Sequence, residues 1–229
     1  EILVAIMQDD GYRYTEEISE ADVILVNTCS IRDNAEQRIW GRLKEFRRYK
    51  RTKPSLIVGI VGCMAERLRE ELLEREQVVD IVAGPDSYRD MPRLVNDAVG
   101  GAPAVNVLLS QEETYADVRP VRLDKNGVSA FIAIMRGCNN YCSYCVVPYT
   151  RGVERSRDPH TIVREARELF DAGYREVTLL GQNVNSYKWD SGRDQTGFHE
   201  LMSMIAAISP LLRVRFATSH PKDLSDRLL

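Results

Sequence analysis

From Ala21 to about residue 99, short runs of continuously apolar residues alternate with stretches whose apolar residues return every three or four positions. "ADVILVNTC", "LIVGIVGC" and "VVDIVAG" have strand length and no polar alternation, so both faces of each strand are predicted to be buried. Between them, "DNAEQRIWGRLKEF" carries the stripe Ala35, Ile39, Leu43 and Phe46, with Asp33 and Glu36 spaced as a capping box. A second helix carries Leu68, Leu72 and Leu73, and "MPRLVNDAV" forms a third. Upstream, "EILVAIMQDDGY" reads as a helix with Ile2, Ile6 and Met7 on one face and Gly11 as its stop. Such alternation predicts an α/β fold whose first domain, residues 1–99, is a doubly wound, flavodoxin-like parallel sheet. A chain that opens on Glu1 and directly on a helix predicts that a segment, including a first strand, precedes it.

The rhythm breaks over residues 100–127, where Gly, Pro and scattered charge without helical period predict an interdomain connection. It then resumes. "VSAFIAIMRGC", "EVTLLG" and "RVRFATS" are strands. "DPHTIVREARELF", with Asp158 as cap and Pro159 at its first position, and "FHELMSMIAAI" are helices. Residues 128–229 are thereby predicted to be the first part of a βα barrel, a partial TIM barrel.

Composition alters this picture little. The hydrophobic fraction of 44% suits a globular protein, and a net charge of −3 selects no partner. No apolar run approaches the length of a membrane span, and no secretory pattern is present. The five cysteines change more. An odd count, with three crowded into "CNNYCSYC", argues against a disulfide framework and for thiols kept as metal ligands in a reducing cytosol.

Three thiolates leave a structural zinc one ligand short of its closed tetrahedron, and His160, His199 and His220 are all distant in sequence. A 4Fe–4S cubane held by three cysteines keeps one iron open for another ligand. A zinc site or three unrelated buried thiols are the alternatives, which the tight spacing disfavours. Cys138, Cys142 and Cys145, spaced Cys-x3-Cys-x2-Cys after a strand, resemble the radical S-adenosylmethionine (SAM) family, with Tyr144 as its aromatic before the last cysteine. The resemblance implies that SAM chelates the open iron and is cleaved by one electron to a 5′-deoxyadenosyl radical. Cys29 and Cys63 each end a predicted strand, where parallel α/β sheets place ligands.

"NTCSIRDNAEQ", "VGCMAER", "RGCNNYCSYCVVPYTRG" and "LLGQNVNSY" together resemble the methylthiotransferases, over nearly the whole chain. That resemblance implies a second 4Fe–4S cluster on Cys29, Cys63 and a third cysteine, which in the family follows the first strand and so falls before Glu1. It also implies a longer protein with the rest of the barrel and a small RNA-binding β-barrel. "CSIRDNAEQ" and "GQNVNSY" are similar to the MiaB-type branch, which converts N6-isopentenyladenosine beside the tRNA anticodon to its 2-methylthio derivative. Sibling branches act on threonylcarbamoyladenosine or on an aspartate of a ribosomal protein. A noncatalytic iron–sulfur electron carrier or RNA-binding module is the alternative of another class.

In the implied mechanism, one SAM methylates a sulfur associated with the Cys29/Cys63 cluster. Another yields the radical that abstracts hydrogen from C2 of the adenine. The implied partners are a tRNA anticodon stem-loop, an electron donor such as flavodoxin or ferredoxin, and a sulfur or iron–sulfur supply protein. The protein is expected to be a cytoplasmic monomer that makes no use of a membrane.

Gly181, Gln182 and Asn183 end the second barrel strand, where the wider family binds the methionine end of SAM. The glycine would allow close approach, and Gln182 or Asn183 would bond the amino group. Arg151, Arg155 and Arg157 follow the cysteine loop, as cofactor or phosphate ligands or as an ordinary solvated loop. The basic run at 47–53 reads mainly as a helix end favoured by its dipole. Tyr187 and Trp189, in a polar loop, are candidates for stacking an unpaired base, or for local packing.

Overall fold

The computed structural model describes residues 1–30, 33–102, 104–123 and 127–228, with the backbone alone of Asp33. The capping box proposed for Asp33 therefore lies outside the described residues. The chain divides into two compact units. One comprises Ile2–Ser110 with Tyr141–Gly152, and the other comprises Glu1, Gln111–Asn140 and the chain from Val153 onward.

The first unit opens with α1 (Ile2–Asp9), then β1 (Val23–Thr28), α2 (Asp33–Thr52) and β2 (Ile57–Gly62). α3 (Cys63–Leu68), α4 (Glu71–Arg75), β3 (Ile81–Ala83), α5 (Met91–Val99) and β4 (Ala104–Asn106) follow. The four strands form one parallel sheet in the order β1-β2-β3-β4. β2 is buried along all six residues, as its unbroken apolar run requires. Its alternate side chains enter two separate cores. Val58 and Ile60 pack with Leu43 and Phe46 of α2 and with Met64 and Leu72. Ile57 and Val61 pack with Met7 of α1 and with Met91, Leu94 and Val95 of α5. Both faces are thus covered, and each fully buried Leu, Ile or Val contributes about 1.5–3 kcal/mol.

Three details differ from the sequence expectation. The helix expected after β2 is two short ones, because Arg69 turns to φ 51° and its N–H bonds back to Ala65 O at 2.8 Å. Ala5 and Met7 are the buried residues of α1 and Leu3 packs partly buried against the same core as Met7, while Ile2 and Ile6 stay partly exposed. β4 arises within the segment read as a connection, where three residues are too few to show a period. The basic run is anchored, Lys50 on Asp80 at 2.6 Å and Lys53 on Asp22 at 2.6 Å, with Arg47 paired to Glu76.

The second unit contains β5 (Ser129–Ala133) and β6 (Met135–Arg136). The segment that follows carries α6 (Val147–Arg151), which belongs to the first unit. Then come β7 (Arg155–Ser156), α7 (Pro159–Asp171), β8 (Glu176–Leu180), β9 (Lys188–Asp190), β10 (Gln195–Gly197), α8 (Phe198–Ala206) and β11 (Arg213–Ala217). β11, β8 and β5 form a parallel sheet with β8 central, the start of a βα barrel series. Ile132, Val177 and Leu179 pack beneath Ile162, Leu201 and Ile205. Asp158 caps α7 as expected, its carboxylate accepting from the His160 N–H at 2.7 Å.

The polar loop expected around residue 190 is a hairpin, β9 against β10. Tyr187 is buried and its hydroxyl donates to Arg157 O at 2.6 Å, while Trp189 packs against the core and His160. Burial rules Tyr187 out as a base-stacking surface. No helix among the described residues is long and apolar enough to cross a membrane.

Candidate functional site

Cys29 and Cys63 are placed by sheet register. β1 and β2 end on the pair Thr28↔Gly62, so the two cysteines are the next residues on adjacent parallel strands. The Thr28 hydroxyl donates to Val61 O at 2.7 Å and pins that end. Gly62 turns the chain into α3 at φ 94°, and a Cβ there would sit 2.7 Å from Thr28 O, so only glycine fits. Cys63 is buried at the start of α3, and Cys29 is exposed.

Against Cys63 lies Arg151, whose Nε–H donates to the sulfur at 3.2 Å. Burial alone would lower the guanidinium pKa. The charges of Cys63, Tyr88 and Cys29 outweigh it and raise the pKa. One turn further along α3, the buried Glu66 points one carboxylate oxygen, without a hydrogen-bond partner, at Gly84 just past β3. Burial pushes its pKa up to about 7, with Asp86 adding and Arg69 opposing.

The three-cysteine loop is built differently. It leaves the second unit at a neck where β6 pairs antiparallel with β7, Met135↔Ser156 and Arg136↔Arg155. Gly137 (φ 70°), Tyr141 (φ 45°) and Gly152 (φ 69°) take left-handed conformations that let the chain reverse within few residues. Cys145 N–H bonds to Cys142 O at 2.9 Å and closes the last Cys-x-x-Cys turn. Cys138 is buried, Cys142 and Cys145 are half-buried, and Tyr144 is 89% exposed. Tyr141 and Tyr149 meet edge to face at 6.3 Å.

Among the described residues, no group of three or more His, Cys, Asp or Glu side chains is arranged to hold a metal ion. The donor chemistry is nonetheless informative. Thiols on tight turns, with few carboxylates beside them, suit an iron–sulfur cluster and not a hard cation such as calcium or magnesium.

At the carboxyl end of β8 the three candidates separate. Gly181 is approached by Met135, whose sulfur would lie 2.8 Å from a Cβ. Asn183 is committed to the fold. Its Nδ2–H donates to Asp223 at 2.7 Å, and its Oδ1 accepts from His220 N–H at 2.9 Å. Gln182 Oε1, and with it Asn185 Oδ1, is buried without a partner. Each is a buried acceptor left to take a donor, and Asn185 was not singled out by sequence although it stands three residues along the same motif.

Nearby, Glu154 accepts from the Ser186 hydroxyl at 2.6 Å. Its pKa is raised by burial and Asp223, with Ser186 and Lys222 opposing. The arginines also part company. Arg157 is buried against Glu165 at 2.5 Å and is structural, Arg155 is buried in the neck, and Arg151 serves Cys63.

Comparison with known proteins gives the family. Residues 132–228 match the radical SAM superfamily, which sets the class, and residues 1–84 match Uncharacterized protein family UPF0004. Curated relatives called tRNA-2-methylthio-N(6)-dimethylallyladenosine synthase align along the entire chain. That of Amoebophilus asiaticus is 56% identical, with 49% of its own length covered. Those of Chloroherpeton thalassium and Parabacteroides distasonis are 55% and 54% identical, each with 50% covered. The chain belongs to the family these synthases form, and it spans about half the length of the relatives it matches.

Among solved structures, the radical SAM methyltransferase TsrM of Kitasatospora setae shares the fold, with a TM-score of 0.60 at 13% identity. The match covers 93% of this chain and 50% of that one.

Proposed function

We propose that this chain is the cluster-bearing half of a tRNA methylthiotransferase that converts N6-isopentenyladenosine, next to the anticodon, to its 2-methylthio derivative. The observation that carries the reading is its identity of 54–56%, over its whole length, to synthases named for that product. The fold alone would admit many chemistries.

In this reading Cys138, Cys142 and Cys145 ligate one 4Fe–4S cluster and leave an iron open to SAM. Gln182 Oε1, unpartnered and buried beyond β8, accepts from the SAM ammonium, with Gly181 shaping the turn and Asn183 holding the 220–223 segment in place. Exposed Tyr144 offers a ring to the cofactor beside Cys145. Cys29 and Cys63 ligate the second cluster with a further cysteine. When bound, these groups supply the electron, radical and sulfur chemistry that an unactivated C2–H bond demands and that no acid–base pair provides. An electron donor such as flavodoxin or ferredoxin and a sulfur-supply protein serve a cytoplasmic monomer.

Nucleoside mass spectrometry of tRNA from a strain lacking the gene tests this. The 2-methylthio derivative should vanish and N6-isopentenyladenosine accumulate. An unchanged level of the 2-methylthio-isopentenyl nucleoside, with the methylthio mass lost instead from threonylcarbamoyladenosine derivatives in tRNA or from a ribosomal protein, would overturn the reading.

A further inference from the structure

α2 buries one side, with Leu43 and Phe46 in the core, and shows the other to solvent. Its described carboxylates are both engaged. Glu36 accepts from Arg67 at 2.6 Å, and Glu45 stands 3.9 Å from Arg42. Arg47, Lys50 and Lys53 pair with Glu76, Asp80 and Asp22 of the same unit. Lys44, Arg48 and Arg51 remain. Spaced four and three residues apart, they fall within an arc of about 60° on the outer face of the helix. All three are exposed, and among the described residues none has a hydrogen-bond or ion-pair partner. The helix dipole favours a cation in the last turn, which accounts for Arg51 but not for Lys44 or Arg48. Like charges at this spacing weaken a helix. The stripe is a local surplus of positive charge on a chain whose net charge is −3.

We propose that Lys44, Arg48 and Arg51 form a docking stripe for the sugar–phosphate backbone of the tRNA substrate. The proposal rests on the tRNA reading above. Helix neighbours at this spacing stand about 5–6 Å apart at Cβ, so their long side chains span successive phosphates of one strand. Contacts of this kind fix register and orientation and carry no sequence information. The stripe also lies away from the cysteines. α2 begins four residues after Cys29, and Lys44 to Arg51 stand about 16–27 Å along its axis from that start. An acidic electron carrier has to bring its redox group up to a cluster, which docking at that distance does not achieve. An anticodon stem is long enough to reach from the strand-end cysteines to the stripe.

The test is a fluorescence-anisotropy titration of labelled, isopentenylated tRNA with the full-length holoenzyme, repeated across a range of salt concentrations. The slope of log association constant against log salt should become shallower by about 0.7–0.9 for each cation removed. Lys44→Gln/Arg48→Gln/Arg51→Gln should therefore lose about 2–3 from the slope, and Arg48→Gln alone about 0.7–0.9. Arg42→Gln, on the opposite side of α2 and facing Glu45, should leave the slope unchanged. Gln is a good helix former and the sites are exposed, so circular dichroism should match the unsubstituted enzyme; if the triple variant does not fold, Arg48→Gln carries the comparison. An unchanged slope in the stripe variants overturns the proposal alone. So does an unchanged slope joined to loss of flavodoxin-driven but not dithionite-driven SAM cleavage, which would assign the stripe to the electron carrier. An unsubstituted enzyme with no salt-dependent affinity for the tRNA overturns the tRNA reading itself.

Discussion

The two cysteine sets are positioned by opposite means. Cys29 and Cys63 are extensions of a rigid parallel sheet. Their separation is fixed by register, a buried threonine bond and a glycine that nothing else can replace. Cys138, Cys142 and Cys145 sit on a loop that depends on a two-residue neck and three left-handed residues. A sheet-end site resists displacement because moving it means breaking the ladder. A loop site can adapt around a ligand that takes the fourth iron, at the cost of a backbone held in sparsely populated conformations. The difference suits the division of labour proposed here, with a fixed sulfur platform and an adjustable cofactor site.

The largest way to break this comparison is Cys142→Ala. It should abolish reductive SAM cleavage and remove about four irons per chain, leaving the strand-end site untouched, as read by 5′-deoxyadenosine and iron assays. Gly62→Ala should act on the other site. The clash with the Thr28 carbonyl and the disfavoured φ should cost about 2–3 kcal/mol in chemical denaturation and deplete the strand-end cluster selectively.

Smaller, and pH-dependent, is Glu66→Gln beside the strand-end cysteines. Burial raises the folded pKa of Glu66 to about 7, so folding favours the protonated acid. Its contribution is fully present at pH values below the ordinary carboxylate range and declines as pH rises to about 7, above which it stays low. Glu66→Gln should therefore stabilise the protein by about 1–2 kcal/mol at pH 8 and leave it little changed near pH 4, in denaturant titrations at both values.

Most of the fold is legible in the sequence because its signals are local. Unbroken apolar runs give β1–β3, Asp158-Pro159 marks the start of α7, and the cysteine spacing marks the loop. What local reading misses depends on partners distant in the chain. β4 is three residues paired to β3, Tyr187 is drawn inward by a carbonyl thirty residues earlier, and Asn183 is consumed by His220 and Asp223. Arg151 looks like any loop arginine until its contact with Cys63, 88 residues away, is seen. Residue type and motif point to the candidate ligands, whereas the side chains packed around them are found only in three dimensions.

The most direct measurement of the central claim is a paired assay of Cys63→Ala holoprotein with SAM, reductant and isopentenylated tRNA, quantifying 5′-deoxyadenosine and methylthiolated nucleoside in the same reaction. If the sheet-end site is the sulfur platform and the loop site initiates the radical, SAM cleavage persists while the methylthio product disappears. A Cys63→Ala protein that still forms the methylthio product would contradict the account.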